Sequence, residues 1–187
     1  MNSIQITALL LILGTLLAAT GFGTFPSIIY TSTNVQEKSA LLTAQPRRWV
    51  LSQLMVILGA LVSVIGSIFL VLLFRESQGM IPAVISAAGF TLGHVFWIWI
   101  VGMRIVEPWR QAADEFPDWL FKAFSILTLL GLAGFGVAFW LQGIYLVLGS
   151  GIFLVALLIL GLFLKFRGMP PIVYFAITLA MGLALLL

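Results

Sequence analysis

The chain has 187 residues, 62% of them hydrophobic and 8% charged, with a mean hydropathy of +1.20. Soluble domains carry roughly a quarter charged residues, so this composition excludes an ordinary soluble fold, and its long unbroken apolar runs favour helices over a closed barrel. The absence of cysteine removes disulfides, thiolate metal sites, iron–sulfur clusters and thiol nucleophiles, while the net charge of +3 is spread over separate loops and forms no nucleic-acid-binding stripe.

Apolar length read against helix breakers predicts an all-α polytopic membrane protein. The expected architecture is one membrane domain over residues 1–187, a bundle of six transmembrane helices at about 4–23, 50–74, 81–103, 119–140, 144–165 and 170–187. The first segment, "MNSIQITALLLILGTLLAAT", has no Lys or Arg before its apolar stretch, so it reads as a retained span and not as a signal peptide. It exits through "GFGTFPS", a kink-prone stretch that could act as a gate but reads first as a simple helix exit. In the connection that follows, Ser32, Thr33 and Asn34 are candidate caps for a short helix over "VQEKSALLTAQ", with Pro46 ending it. This helix is expected to lie along the membrane interface.

Spans two and three carry small residues four apart, Gly59, Ser63 and Ser67 on one and Gly89 and Gly93 on the other. Helices in lipid associate through close backbone approach, so these two spans are expected to pack together through those residues. The tight "RESQGM" turn between them also makes them antiparallel neighbours. Span three holds the only histidine, His94, inside "GFTLGHVFWIWIVGMR". At about 100° per residue it shares a face with Ala87, Phe90, Thr91, Trp97, Ile98 and Val101, with Gly93 at its shoulder. An ionisable residue at that depth is a functional hypothesis by default. Two readings follow: a neutral imidazole satisfied by a carbonyl or by a hydroxyl of span two, or a site for haem or a chlorophyll-type pigment held by His94 with Thr91 and Trp97 beside it. Bis-histidine haem is impossible with one histidine, and a zinc site would need three or four ligands that cannot be gathered here.

After span three, Glu107, Arg110 and Asp114 in "EPWRQAADEFPDW" stand at helical spacings, and Trp109, Phe116 and Trp119 suit headgroup depth. Spans four and five are joined by "QG" and carry "GLAGFG" and "GSG", patterns that suit tight packing or a bend. Ser150 in "LGSGI", taken with His94, resembles the serine and histidine pair of the rhomboid proteases. Leu148 stands where their first glycine belongs, however, and His94 precedes Ser150, so no catalytic residue and no intramembrane hydrolase is expected. Pro170 and Pro171 open the sixth span.

Orientation follows from the basic residues. Lys38, Arg47, Arg48, Arg104, Arg110, Lys122, Lys165 and Arg167 fall in the connections after spans one, three and five, and only Arg75 falls on the opposite side. Cytoplasmic loops carry the excess of Lys and Arg, so both termini are expected outside the cytoplasm of a bacterial inner membrane. All six acidic residues map to connections, which argues against ion-coupled transport. The expected function is a non-enzymatic accessory, assembly or scaffold subunit of a larger membrane complex. Its partners would be the lipid bilayer and other membrane subunits or a second copy of the chain. The alternatives are the His94 cofactor binder and a channel or carrier for a small neutral solute.

Overall fold

The computed structural model describes residues 2–143, 145–166 and 170–187, and the elements assigned among these residues are all helices. Helix α1 (Ser3–Thr24) is opened by Asn2, whose side chain accepts from the Gln5 amide at 2.9 Å while the Gln5 side chain accepts from the Asn2 amide at 3.2 Å. This reciprocal cap satisfies donors that an N-terminal turn otherwise leaves unpaired. The helix stops at Phe25, which is extended as a residue before proline is biased to be. Two short helices follow, α2 (Ile28–Thr31) and α3 (Val35–Ala44), and Asn34 caps the second by accepting from the Gln36 and Glu37 amides.

Helix α4 (Pro46–Leu72) begins with Pro46 in its first turn, where a missing N–H costs nothing. The proline therefore opens the long helix as well as following the short one. Helix α5 (Met80–Val106) runs past the expected end of its span and stops only at Glu107, before Pro108 opens α6 (Pro108–Ala113). Helix α7 (Asp118–Gln142) ends at Gly143, which takes the left-handed φ of 78° that suits a residue without Cβ. Helices α8 (Leu146–Phe166) and α9 (Ile172–Ala184) complete the order.

Five helices, α1, α4, α5, α7 and α8, are long and apolar enough to cross a membrane, which suits a multi-pass helical membrane protein. Helix α9 is apolar but has 13 residues, about 20 Å of helix against a hydrocarbon core of about 30 Å.

The expected pairing of spans two and three through their small residues is corrected. Gly59 of α4 faces α1, where an added methyl would sit 2.6 Å from the Gly14 carbonyl oxygen, and Ser63 lies against Gly14 on the same seam. Gly93 of α5 faces α7, with the Phe124 carbonyl oxygen 3.1 Å from where its methyl would be, and Gly89 approaches Gly131 of α7. Ser67 is buried and donates to the Val64 carbonyl of its own helix at 2.7 Å. Helices α4 and α5 do touch, but less extensively than α1 with α4 or α5 with α7. Small residues mark where a backbone can be approached; they carry no information on which helix approaches. Within "GLAGFG", Gly131 serves the α5 seam and Gly136 serves α8, where it meets Gly149. Helix α9 packs on α1, and the Thr15 hydroxyl donates to the Phe175 carbonyl at 3.2 Å across that contact.

Candidate functional site

Helix α5 turns two ionisable side chains toward the bundle, His94 buried and Arg104 half-buried. His94 is 2% exposed, and its Nδ1 lies 2.9 Å from the carbonyl oxygen of Phe90, one turn back. A neutral imidazole protonated at Nδ1 donates there, so the ring satisfies itself on its own helix and not on a hydroxyl of α4. Phe90 lies over it with ring centroids 4.1 Å apart, and Phe124 of α7 and Phe175 of α9 present their rings nearly perpendicular at 6.1 and 6.0 Å. Trp97 is fully buried on the same face, whereas Thr91 is half-buried. In this packing a planar macrocycle would have to displace phenyl rings to reach the imidazole. Ser150 is exposed on α8, and no hydrogen bond joins it to His94 among the described residues.

The second side chain is Arg104, which sequence reading places in a loop and the structure places on the last turns of α5. A basic side chain at a span end usually extends outward to the interface. This one folds back along its helix, as helical side chains lean toward the N-terminus. Its guanidinium carbon lies 5.1 Å from the Trp97 ring, two turns back, and 5.3 Å from the Phe116 ring. Its Nε and Nη1 have no solvent contact and no hydrogen-bond partner. The two rings supply cation–π attraction, which compensates only part of what a desolvated guanidinium loses.

The aromatic and polar cluster near Arg104 is drawn from remote parts of the chain. The Trp49 indole of α4 donates to the Arg104 carbonyl at 2.8 Å, tying the start of α4 to the end of α5. Phe25 meets Trp49 at 5.1 Å, Tyr30 lies 6.4 Å from Trp49, and Phe22 lies between Tyr30 and Trp97 at 5.9 and 6.2 Å. Gln53, fully buried one turn above Trp49, donates to the Tyr30 hydroxyl at 3.3 Å and to Ser52 at 2.9 Å, which leaves its Oε1 without a partner. Burial pushes the Tyr30 phenol above the usual tyrosine range, while the Gln53 hydrogen bond and the nearby Arg104 charge pull the other way. Gln111 of α6 donates to the Ile29 carbonyl at 3.3 Å, and its Oε1 is also unpartnered. The buried Trp97 Nε1 is a third unpartnered group.

One ion pair closes this end of the bundle. Lys38 on α3 is 2% exposed and donates to Asp114 at 2.7 Å across 76 residues of chain. Asp114 is therefore not a member of the expected Glu107–Arg110–Asp114 helical row; Arg110 pairs with Glu107, but α6 ends at Ala113 and Asp114 turns left-handed with φ 55°. Lys38 takes the carboxylate that the Arg104 charge would otherwise claim. The pair also brings the α1–α4 and α5–α7 connections together at one end.

A third feature lies on the opposite flank. Helix α8 packs on α7 and α9 on α1, and the two have little contact with each other. Between them runs a cavity of about 430 Å³ lined by Val147, Gly151, Ile152, Val155, Ile177 and Ala180 among others, with no polar side chain in its wall. Among the described residues, no group of His, Asp and Glu side chains is placed to hold a metal ion.

Compared with protein families, curated proteins and solved structures, the chain finds no match. Of the expected site residues, His94 and Trp97 are buried on α5 and Thr91 is half-buried. Tyr30, Gln53, Arg104 and Gln111 were not expected as a group, and the one signal available was Arg104 two turns after a tryptophan on one helix face.

Proposed function

We propose that this is a non-enzymatic six-span protein of the bacterial inner membrane, with both termini outside the cytoplasm, that acts as an accessory or assembly subunit of a larger membrane complex. The observation that carries the reading is the α8–α9 cavity, an apolar trough whose wall includes Gly151, Ala176 and Ala180. An added methyl on Gly151 would meet nothing within 4 Å, so this glycine relieves no contact inside the chain. Small residues on a lipid-facing wall let another backbone approach closely, which is the main source of helix affinity in a bilayer. In this reading α9 and the residues after it form the sixth span, and the basic connections face the cytoplasm.

The chain has no native cysteine, so single-cysteine variants give a clean test. Gly151→Cys and Ala180→Cys should cross-link in native membranes to a species of one defined mass, and Ala176→Trp should abolish the product by filling the trough. Leu158→Cys, 63% exposed elsewhere on α8, should give none. Equal labelling of all three thiols by a lipid-soluble maleimide, with no adduct at any, would sink the reading. Reporter fusions at the two termini test the orientation separately.

A further inference from the structure

From the unpartnered nitrogens of Arg104 we infer that the end of the bundle closed by α3 and α6 binds a phosphate group, with Arg104 as its principal ligand. Arg104 is half-buried and folded inward, its buried Nε and Nη1 donate to nothing, and none of the ion pairs among the described residues includes it. Charges in a membrane domain are retained where they meet a partner. Asp114 is bonded to Lys38 and makes no ion pair with Arg104, so we place the partner of its two buried nitrogens outside the chain.

The chemistry of the unpartnered groups selects the ligand. Arg104 offers planar N–H donors that match the oxygens of a phosphate, and the fully buried Trp97 adds an indole N–H beside it. Depth agrees with this choice. Trp99, Trp109 and Trp119 are each more than half exposed near this end, Trp99 and Trp119 with ring centroids 6.1 Å apart, and such rings settle at the level of lipid headgroups. A phosphate at that level belongs either to a phospholipid or to a soluble anion.

The test has one arm for each source. In the first, the full chain is released from bilayers containing phosphatidylglycerol and its retained lipid is counted by native mass spectrometry. In the second, delipidated protein in an uncharged detergent is titrated with inorganic phosphate and followed by tryptophan fluorescence. Retained phospholipid that falls at least about tenfold in Arg104→Gln, with Arg75→Gln unchanged, assigns the site to a headgroup. Saturable phosphate binding lost in the same variant, without lipid retention, assigns it to a soluble anion. Arg104→Lys keeps the charge but not the planar fork and should fall between. If Arg104→Gln does not fold, Trp97→Phe removes one donor while keeping the aromatic wall, and it should weaken the same signal about threefold to tenfold. Neither phospholipid retention nor phosphate binding by the wild type overturns the inference. So does a folded Arg104→Gln, or, where that variant does not fold, a Trp97→Phe, that leaves every signal seen in the wild type unchanged.

Discussion

His94 and Arg104 sit on the same helix, about three turns apart, and the bundle treats them in opposite ways. His94 closes its hydrogen bond on its own helix and is wrapped by Phe90, Phe124 and Phe175. Arg104 is folded toward the same interior with two buried nitrogens left open. The difference is one of chemistry. A neutral imidazole has a single N–H to place and finds its acceptor one turn away, whereas a guanidinium carries five donors and a permanent charge that no one local carbonyl can satisfy. A buried polar residue in a membrane bundle is therefore informative only once its partners have been counted.

The comparison breaks most completely at the wall the two residues share. Phe124 stacks on Trp97 at 4.8 Å and edges His94 at 6.1 Å, so Phe124→Ala should cost about 3–5 kcal/mol and disturb both environments, measured by denaturant titration in detergent and by tryptophan emission. Next comes the ion pair at the α3–α6 end. Asp114→Asn keeps a side chain that tolerates the left-handed backbone but leaves the buried Lys38 unpaired. The expected cost is about 1–3 kcal/mol, below that of a fully buried pair because Asp114 is 69% exposed. Limited proteolysis at the α3–α6 end and labelling of Lys38 by an amine reagent should both increase.

Two smaller effects sharpen the contrast by their signs. In detergent free of phosphate and phospholipid, Arg104→Met should leave the fold as stable or up to about 1 kcal/mol more stable, because removing two buried, unpartnered nitrogens offsets the loss of two cation–π contacts. Destabilisation there would mean that the guanidinium is held by the protein itself. His94→Phe should change stability by less than about 1.5 kcal/mol, as a swap of similar volume within an aromatic cage. A larger loss in the same titration would show that the imidazole does more than satisfy its own turn.

Much of the local structure was legible before any fold was known. Asn34 caps α3, Pro46 follows it, and the "QG" connection lies where α7 ends, each acting through backbone geometry within a few residues. The end of α5 was not. A hydropathy reading stops at the first charge, so Arg104 was counted with the loops, but helical hydrogen bonding continues to Val106 until proline interrupts it. The helical row of Glu107, Arg110 and Asp114 failed at its last member for a related reason. Asp114 pairs with Lys38, 76 residues away, and no spacing rule reaches that far.

By itself the sequence determined that this is an apolar, helical chain with long segments suited to a bilayer, and where most of those segments are punctuated. Segment length and the steric limits of proline and glycine act within one turn or one span, so they can be read along a single strand of text. Only the tertiary structure decided that Gly59 faces α1 and Gly93 faces α7, that His94 is enclosed, and that Arg104 is left open beside Trp97 and Phe116. Each of these depends on which distant surface arrives opposite a residue. That is settled by the packing of whole helices and cannot be read from the neighbours in the chain.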